Sequence, residues 1–204
     1  AFQRLLVNSR AYQLSSRYEG EWNPSWSTLF ARKLVRRLWA EEIHDAVTQS
    51  SQMAASYPLR QYFDDGRTVR WAMQFPEHGS TPDNNGAVSR LLNAFYRGDR
   101  DEEDRRSDGS LSQALALMND NFVMTRVRAN AAGSLLARNI SASDDALVDA
   151  LFLNVLSRYP TSEEKTQAVA NLRSGNRNQE AENLLWSLYN KVDSDVAESR
   201  AENV

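Results

Sequence analysis

The sequence predicts a mainly α-helical fold, one domain of about six to eight helices over residues 1–204. Three observations carry that expectation. The chain has 24 Ala and 22 Leu against 2 Ile, a bias toward strong helix formers and away from β-branched residues. Apolar residues make up 41% and charged residues 25%, enough to close a core rather than remain disordered. Capping signals also recur ahead of apolar residues at helical spacing, most clearly after residue 109.

The elements follow in chain order. A helix is expected over residues 2–14 on Leu5, Leu6 and Val7, then an ordered loop over 15–28 holding Trp22, Pro24 and Trp26. If residues 31–38 are helical, Arg32, Lys33, Arg36 and Arg37 make a small basic patch, one turn from Glu41 and Glu42. A second helix is expected over 40–52, pairing Ile43 with Val47. Residues 55–87 read as a long irregular segment, broken by Pro58, Gly66, Pro76, Gly79, Pro82 and Gly86. Only Thr68-Val69-Arg70-Trp71-Ala72-Met73 has strand character there. A short helix then carries Val88, Leu91, Leu92 and Phe95.

Beyond the polar loop 97–109, Ser110-Leu111-Ser112-Gln113 fits a capping box, with Leu111, Leu115 and Met118 following at helical spacing. Asp120 can cap the next helix, whose stripe is Phe122, Val123, Val127 and Ala131. Gly133 weakens this helix without necessarily ending it, since Leu135 and Leu136 continue the pattern. Ser143-Asp144-Asp145 caps a helix with Leu147, Val148, Leu151, Phe152, Val155 and Leu156, stopped at Arg158-Tyr159-Pro160. Thr161-Ser162-Glu163-Glu164 is a second capping box, and Ser174-Gly175-Asn176 closes its helix. The last helix carries Ala181, Leu184, Leu185 and Leu188, with Trp186 and Tyr189 near its edge.

Charge and composition exclude several classes. The net charge of −3 and pI near 5.5 argue against a nucleic-acid binder. No apolar run reaches the ~20 residues of a membrane span. The absence of cysteine excludes disulfides, thiolate metal sites and thioether attachment of haem within this segment. Positive charge is almost entirely guanidinium, 21 Arg against 3 Lys.

The densest polar stretch is the loop 97–109, where Arg97, Arg100, Arg105 and Arg106 alternate with Asp99, Asp101 and other acids. Bidentate arginine–carboxylate pairing suits such a loop to knitting helix ends together. Its spacing begins like a calcium loop, but Asp104 stands where glycine is needed and Ser110 where the bidentate glutamate belongs. No metal is therefore assigned. Glu41-x-x-His44 places an acid and an imidazole on one helix face, as in di-iron carboxylate bundles. The only other histidine is His78, so the pair reads as a surface histidine beside acids. Trp22, Trp26 and Trp71, with Tyr12, Tyr18, Tyr57 and Tyr62, concentrate in the less regular half. They either cover the core or offer a contact surface to a polysaccharide or a protein.

Four stretches taken together carry a family resemblance: Val7 to Arg17, Arg37 to Ala46, Gly109 to Asp120 and Leu156 to Glu164. Their order resembles the C-terminal domain of unknown function in large exported bacterial proteins of the planctomycete type. The resemblance implies an extracytoplasmic setting and a multidomain parent, often with a c-type cytochrome domain upstream. It supplies no catalytic residues. Many relatives carry a cysteine shortly before the arginine matching Arg105 or Arg106, and an arginine where His44 stands. The chain opens on helix-like residues and reads as a piece of a longer protein.

The expected function is therefore a non-catalytic interaction or structural module, with no cofactor in this segment and haem c confined to another domain of the parent. Its expected partners are the parent's other domains. The alternative is part of a polysaccharide hydrolase using Asp99 and Asp101 as its acid and base.

Overall fold

A computed structural model describes residues 1–16, 18, 20–34, 36–58, 67–75, 86–98 and 109–191. It is mainly helical, as the composition predicts, with nine α-helices among the described residues. The chain divides into two compact units, one holding the N-terminal residues to Arg37 and the other spanning Leu38–Asn190.

In the first unit, helix α1 covers only Phe2–Val7 rather than residues 2–14. The side chains that follow explain the early stop. Asn8 donates to the Arg4 carbonyl at 2.8 Å, Ser9 to that of Leu6 at 2.7 Å and Gln13 to that of Val7 at 2.6 Å. The Ser9 hydroxyl and Gln13 amide occupy the Leu6 and Val7 carbonyls, which the N–H groups of Arg10 and Ala11 would need to continue the helix. The expected loop contains a 3₁₀ helix, Pro24–Leu29, which Asn23 caps by accepting from the Ser25 N–H and which ends at Phe30 with a left-handed φ of 52°.

The described residues of 31–38 are not helical, so the basic patch does not form on a helix face. Aromatic surface claims its cations instead. Arg32 is buried over the Trp22 ring at 4.0 Å, and Lys33 lies 4.7 Å from the Tyr12 ring centre.

The second unit begins with α2, Ala40–Ser50, whose entry is fixed by the Glu42 carboxylate accepting the Trp39 N–H at 2.9 Å. The irregular segment then forms a two-residue antiparallel pair, β1 (Tyr57–Pro58) with β2 (Thr68–Val69), Tyr57 facing Val69. The expected strand is cut short because residues 72–74 turn into a 3₁₀ helix. Helix α3, Gly86–Ala94, reverses at Tyr96, which has a left-handed φ of 50°.

Helix α4, Leu111–Asn119, is capped by the Ser110 hydroxyl as expected. Its stripe of Leu111, Leu115 and Met118 faces outward, exposed by 76%, 48% and 37%, while Ala116 and Leu117 are the residues packed on the core. The continuous helix expected from Asp120 onward is broken. Helix α5 is only Asn121–Met124, and α6 is Leu135–Asn139. The intervening turns are held from a distance: Glu182 accepts the Ala129 N–H at 2.8 Å and pairs with Arg128 at 2.9 Å. Gly133 takes a φ of +78°, Ser134 caps α6, and the Leu135 N–H donates to the Ser51 carbonyl. Tertiary acceptors thus replace the i−4 carbonyls a continuous helix would have used.

Helices α7 (Asp144–Leu156), α8 (Ser162–Ser174) and α9 (Arg177–Asn190) pack on one another and match the sequence signals closely. The Thr161–Glu164 capping box is complete, and Glu164 also receives a bidentate grip from Arg158 at 2.8 and 2.9 Å. One core runs through the second unit, with Leu91, Val123, Leu136, Leu147, Leu151 and Leu185 at its centre. Among the described residues no helix is long and apolar enough to cross a membrane.

Asp144 ties the last three helices together, accepting from Arg177 and from Arg173. Hydrogen bonds from Arg177, then from Arg173, hold its carboxyl below the ordinary aspartate range. A depressed folded pKa contributes stability above the unfolded value of about 3.9, which is lost as pH falls through the folded value. Asp144→Asn is therefore expected to lower the melting temperature at neutral pH and to converge with the native chain in acid. A constant gap between the two melting curves down to acid pH would contradict this role.

Candidate functional site

Among the described residues, the strongest concentration of reactive side chains lies on the buried face of α2. Helical spacing puts Glu41, His44 and Thr48 on one stripe with Ala40 and Val47, and all five are buried. The expected surface histidine is thus corrected. His44 has 0% exposure, and both of its ring nitrogens find internal partners, which makes its burial in the core tolerable.

His44 Nδ1 lies 2.7 Å from Asp45 Oδ1, and its Nε2 lies 2.7 Å from the Tyr57 hydroxyl. The imidazole also stacks on Phe122 from α5 with centres 4.6 Å apart. Asp45 already accepts the Ala72 N–H at 2.6 Å and the Met73 N–H at 3.2 Å, which fixes it as an acceptor. This network assigns the Nδ1 proton to the Asp45 bond, leaving Nε2 to accept from Tyr57. Burial pushes the Tyr57 phenol up to about 12; Arg126 opposes that shift and Asp45 adds to it. The phenol is therefore a neutral donor.

A carboxylate–imidazole–phenol chain of this order polarises the Tyr57 O–H bond. It also joins α2, β1 and the first turn after β2. Asp45 caps the 3₁₀ helix, His44 carries the connection, and Tyr57 closes it on the strand.

Two cations flank this chain. Arg97 Nε lies 3.3 Å from Glu41 Oε1, with both side chains buried, and its guanidinium sits over Phe75 at 5.4 Å. Arg126 lies 3.6 Å above the Phe122 ring and donates to the Phe122 carbonyl at 3.0 Å. Burial lowers its pKa, with Tyr57 and Tyr189 acting against that shift. Tyr189 is likewise pushed up to about 12 by burial, and its hydroxyl meets Ser50 at 2.9 Å. Ser50 gives its own proton to the Ala46 carbonyl at 2.6 Å, so Tyr189 is the donor in that contact.

Of the residues singled out in the polar loop, Arg97 is the one described, and it is a core residue paired with α2. Asp99, Arg100, Asp101, Arg105 and Arg106 lie outside the described residues, as does His78. Trp22 and Trp26 come together with Tyr18 in edge-to-face contacts of 5.5 to 5.9 Å, all in the first unit. Trp71 belongs to the second unit, 37% exposed, at the start of the 3₁₀ helix. No group of three potential metal-ligating side chains converges among the described residues.

Sequence reasoning missed the roles of Asp45, Tyr57, Arg126 and Tyr189. The available signal was the stripe at 40, 44, 47, 48 and 51, which mixes apolar and polar residues at core spacing.

A family model described as PSD1, a protein of unknown function (DUF1553), matches residues 1–172. No curated protein and no solved structure matches the chain.

Proposed function

Since the chain belongs to the PSD1 family of proteins of unknown function (DUF1553), we propose that it is a non-catalytic interaction module of a larger exported bacterial protein, working against that parent's other domains outside the cytoplasm. The observation that carries this reading is the state of His44. It is fully buried, and both ring nitrogens are committed to Asp45 and Tyr57 in a bond chain that joins elements. A catalytic base needs a proton-bearing substrate within hydrogen-bond reach, and these bonds occupy both positions from which His44 would act.

The outward stripe of Leu111, Leu115 and Met118 on α4 supports contact with another domain, since apolar side chains at helical spacing gain most when covered. The four stretches that resemble planctomycete-type exported proteins support the extracytoplasmic setting. In the same proposal, redox chemistry belongs to a c-type cytochrome domain of the parent, because this chain holds no cysteine for a haem thioether.

Hydrogen exchange on the parent protein and on the 204-residue chain tests the proposal. The amides of α4 are expected to exchange more slowly in the parent. Equal exchange in both would overturn the interaction reading. Hydrolysis of a glycan by the isolated chain, abolished by Asp99→Asn, would overturn the non-catalytic reading.

A further inference from the structure

A second place in the fold is an open surface cleft that combines an aromatic ring with polar side chains. It is a cleft of about 290 Å³ between α9 and the turns that follow α5. Gln179, Asn183 and Trp186 line one wall at spacings of four and three residues, so they share one face of α9. Met124, Val127 and Arg128 line it from the turns after α5, and Glu182 of α9 bonds to Arg128.

Three features specify what would fit. The first is the platform. The Trp186 indole N–H donates to the Met118 carbonyl at 2.9 Å, which fixes the ring and leaves its carbon surface, not its polar atom, to the cleft. The second is charge. Arg128 pairs with Glu182 at 2.9 Å, and the other Glu182 oxygen takes the Ala129 N–H, so the cleft carries balanced charge and favours a neutral occupant.

The third is the pattern of hydrogen-bonding groups. The Gln179 amide nitrogen donates to the Asn183 oxygen at 3.0 Å, and the Asn183 nitrogen points to Glu180 at 3.3 Å. That leaves the Gln179 carbonyl oxygen as an acceptor in the same cleft as the donor-rich guanidinium of Arg128, which is half exposed. An acceptor and a donor lining one cleft with an aromatic ring match hydroxyls on a ring whose other face is C–H. A purely apolar ring would use neither polar group, and an anion would meet Glu182.

We infer that this cleft binds one ring of a neutral glycan, stacked on Trp186 and oriented by Arg128 and by Gln179, whose amide Asn183 holds in place. The inference is independent of the interaction proposal above: it concerns α9 rather than the α4 stripe, and either can fail alone.

The test is a titration of the intact ¹⁵N-labelled chain, following its five tryptophan indole signals, with Trp186 assigned by Trp186→Phe. The probes are methyl β-glucoside, methyl β-galactoside and N-acetylglucosamine, with cyclohexylmethanol as an apolar ring of similar size. The Trp186 signal is expected to move saturably with at least one sugar, at a dissociation constant of about 1–10 mM, the range for a small ligand with few contacts. Gln179→Ala and Asn183→Ala alter exposed side chains, so they are expected to leave the melting temperature in place while weakening that sugar about tenfold. A Trp186 signal that stays fixed with all three sugars would overturn the inference. So would cyclohexylmethanol binding as tightly as the sugars, or unchanged sugar affinity in both variants.

Discussion

Arg97→Met will cost about 3–5 kcal/mol of unfolding free energy, the range for removing one partner of a buried ion pair. The Arg97 and Glu41 side chains are exposed by only 4% and 5%, and their contact, at 3.3 Å, links the end of α3 to the start of α2. Methionine roughly fills the space of the arginine stem, so little of the loss will come from a cavity. Most will come from the lost charge-assisted contact between two buried side chains. The deficit is read from urea midpoints, and Arg97→Lys, which keeps the charge, is expected to recover part of it. A lysine variant no more stable than the methionine one would mean that Arg97 matters for its packing on Phe75 rather than for its charge.

That prediction turns on a residue the sequence placed in a polar loop. The chain from residue 97 to 109 alternates charges, and such alternation ordinarily marks a solvated segment. Arg97 departs from it because the chain reverses at Tyr96 and the Arg97 N–H returns to the Leu92 carbonyl at 3.2 Å. The arginine is thereby carried back over the core toward α2. Nothing local to residues 95–98 encodes Glu41 as the partner, which lies 56 positions earlier.

The same distinction separates the elements that were legible from those that were not. Helices α7 and α8 are specified by neighbours in sequence: Ser143 caps Ala146, Thr161 and Glu164 cap each other, and the apolar spacing lies between. The region from 120 to 136 has comparable spacing but does not stay helical. Its decisive bond comes from Glu182, 53 residues from Ala129. In α2 the spacing gave the helix, but not which of its polar residues are internal. Glu41 and His44 are buried while Ala46 is exposed, an inversion of the hydrophobic pattern that only their partners make tolerable.

Replacing His44 tests whether that inversion holds the second unit together. His44→Ala is expected to lose about 3–4 kcal/mol, combining an interior cavity with the stranding of a buried Tyr57 hydroxyl. Tyr57→Phe removes the hydroxyl and keeps the ring, so its loss will be smaller, about 1–2 kcal/mol. The two are in direct contact at 2.7 Å, so their effects are expected to be non-additive by about 0.5–3 kcal/mol in a double-mutant cycle. Additive losses would show that His44 contributes through its stacking on Phe122 alone.

Alkaline pH supplies an independent reading of the same bond. Tyr57 ionises in the unfolded chain at its ordinary value of 10.0 but only at about 12 in the folded protein. Below pH 10 both states hold the proton, so Tyr57 adds no pH dependence to stability there. Between the two values the unfolded state releases the proton first, so stability falls as pH rises through this window. Tyr189 behaves alike, also raised to about 12, so Tyr57→Phe will reduce the alkaline loss without abolishing it. An alkaline transition of unchanged steepness in Tyr57→Phe would place the phenol in contact with water and remove the basis for the buried Asp45–His44–Tyr57 chain.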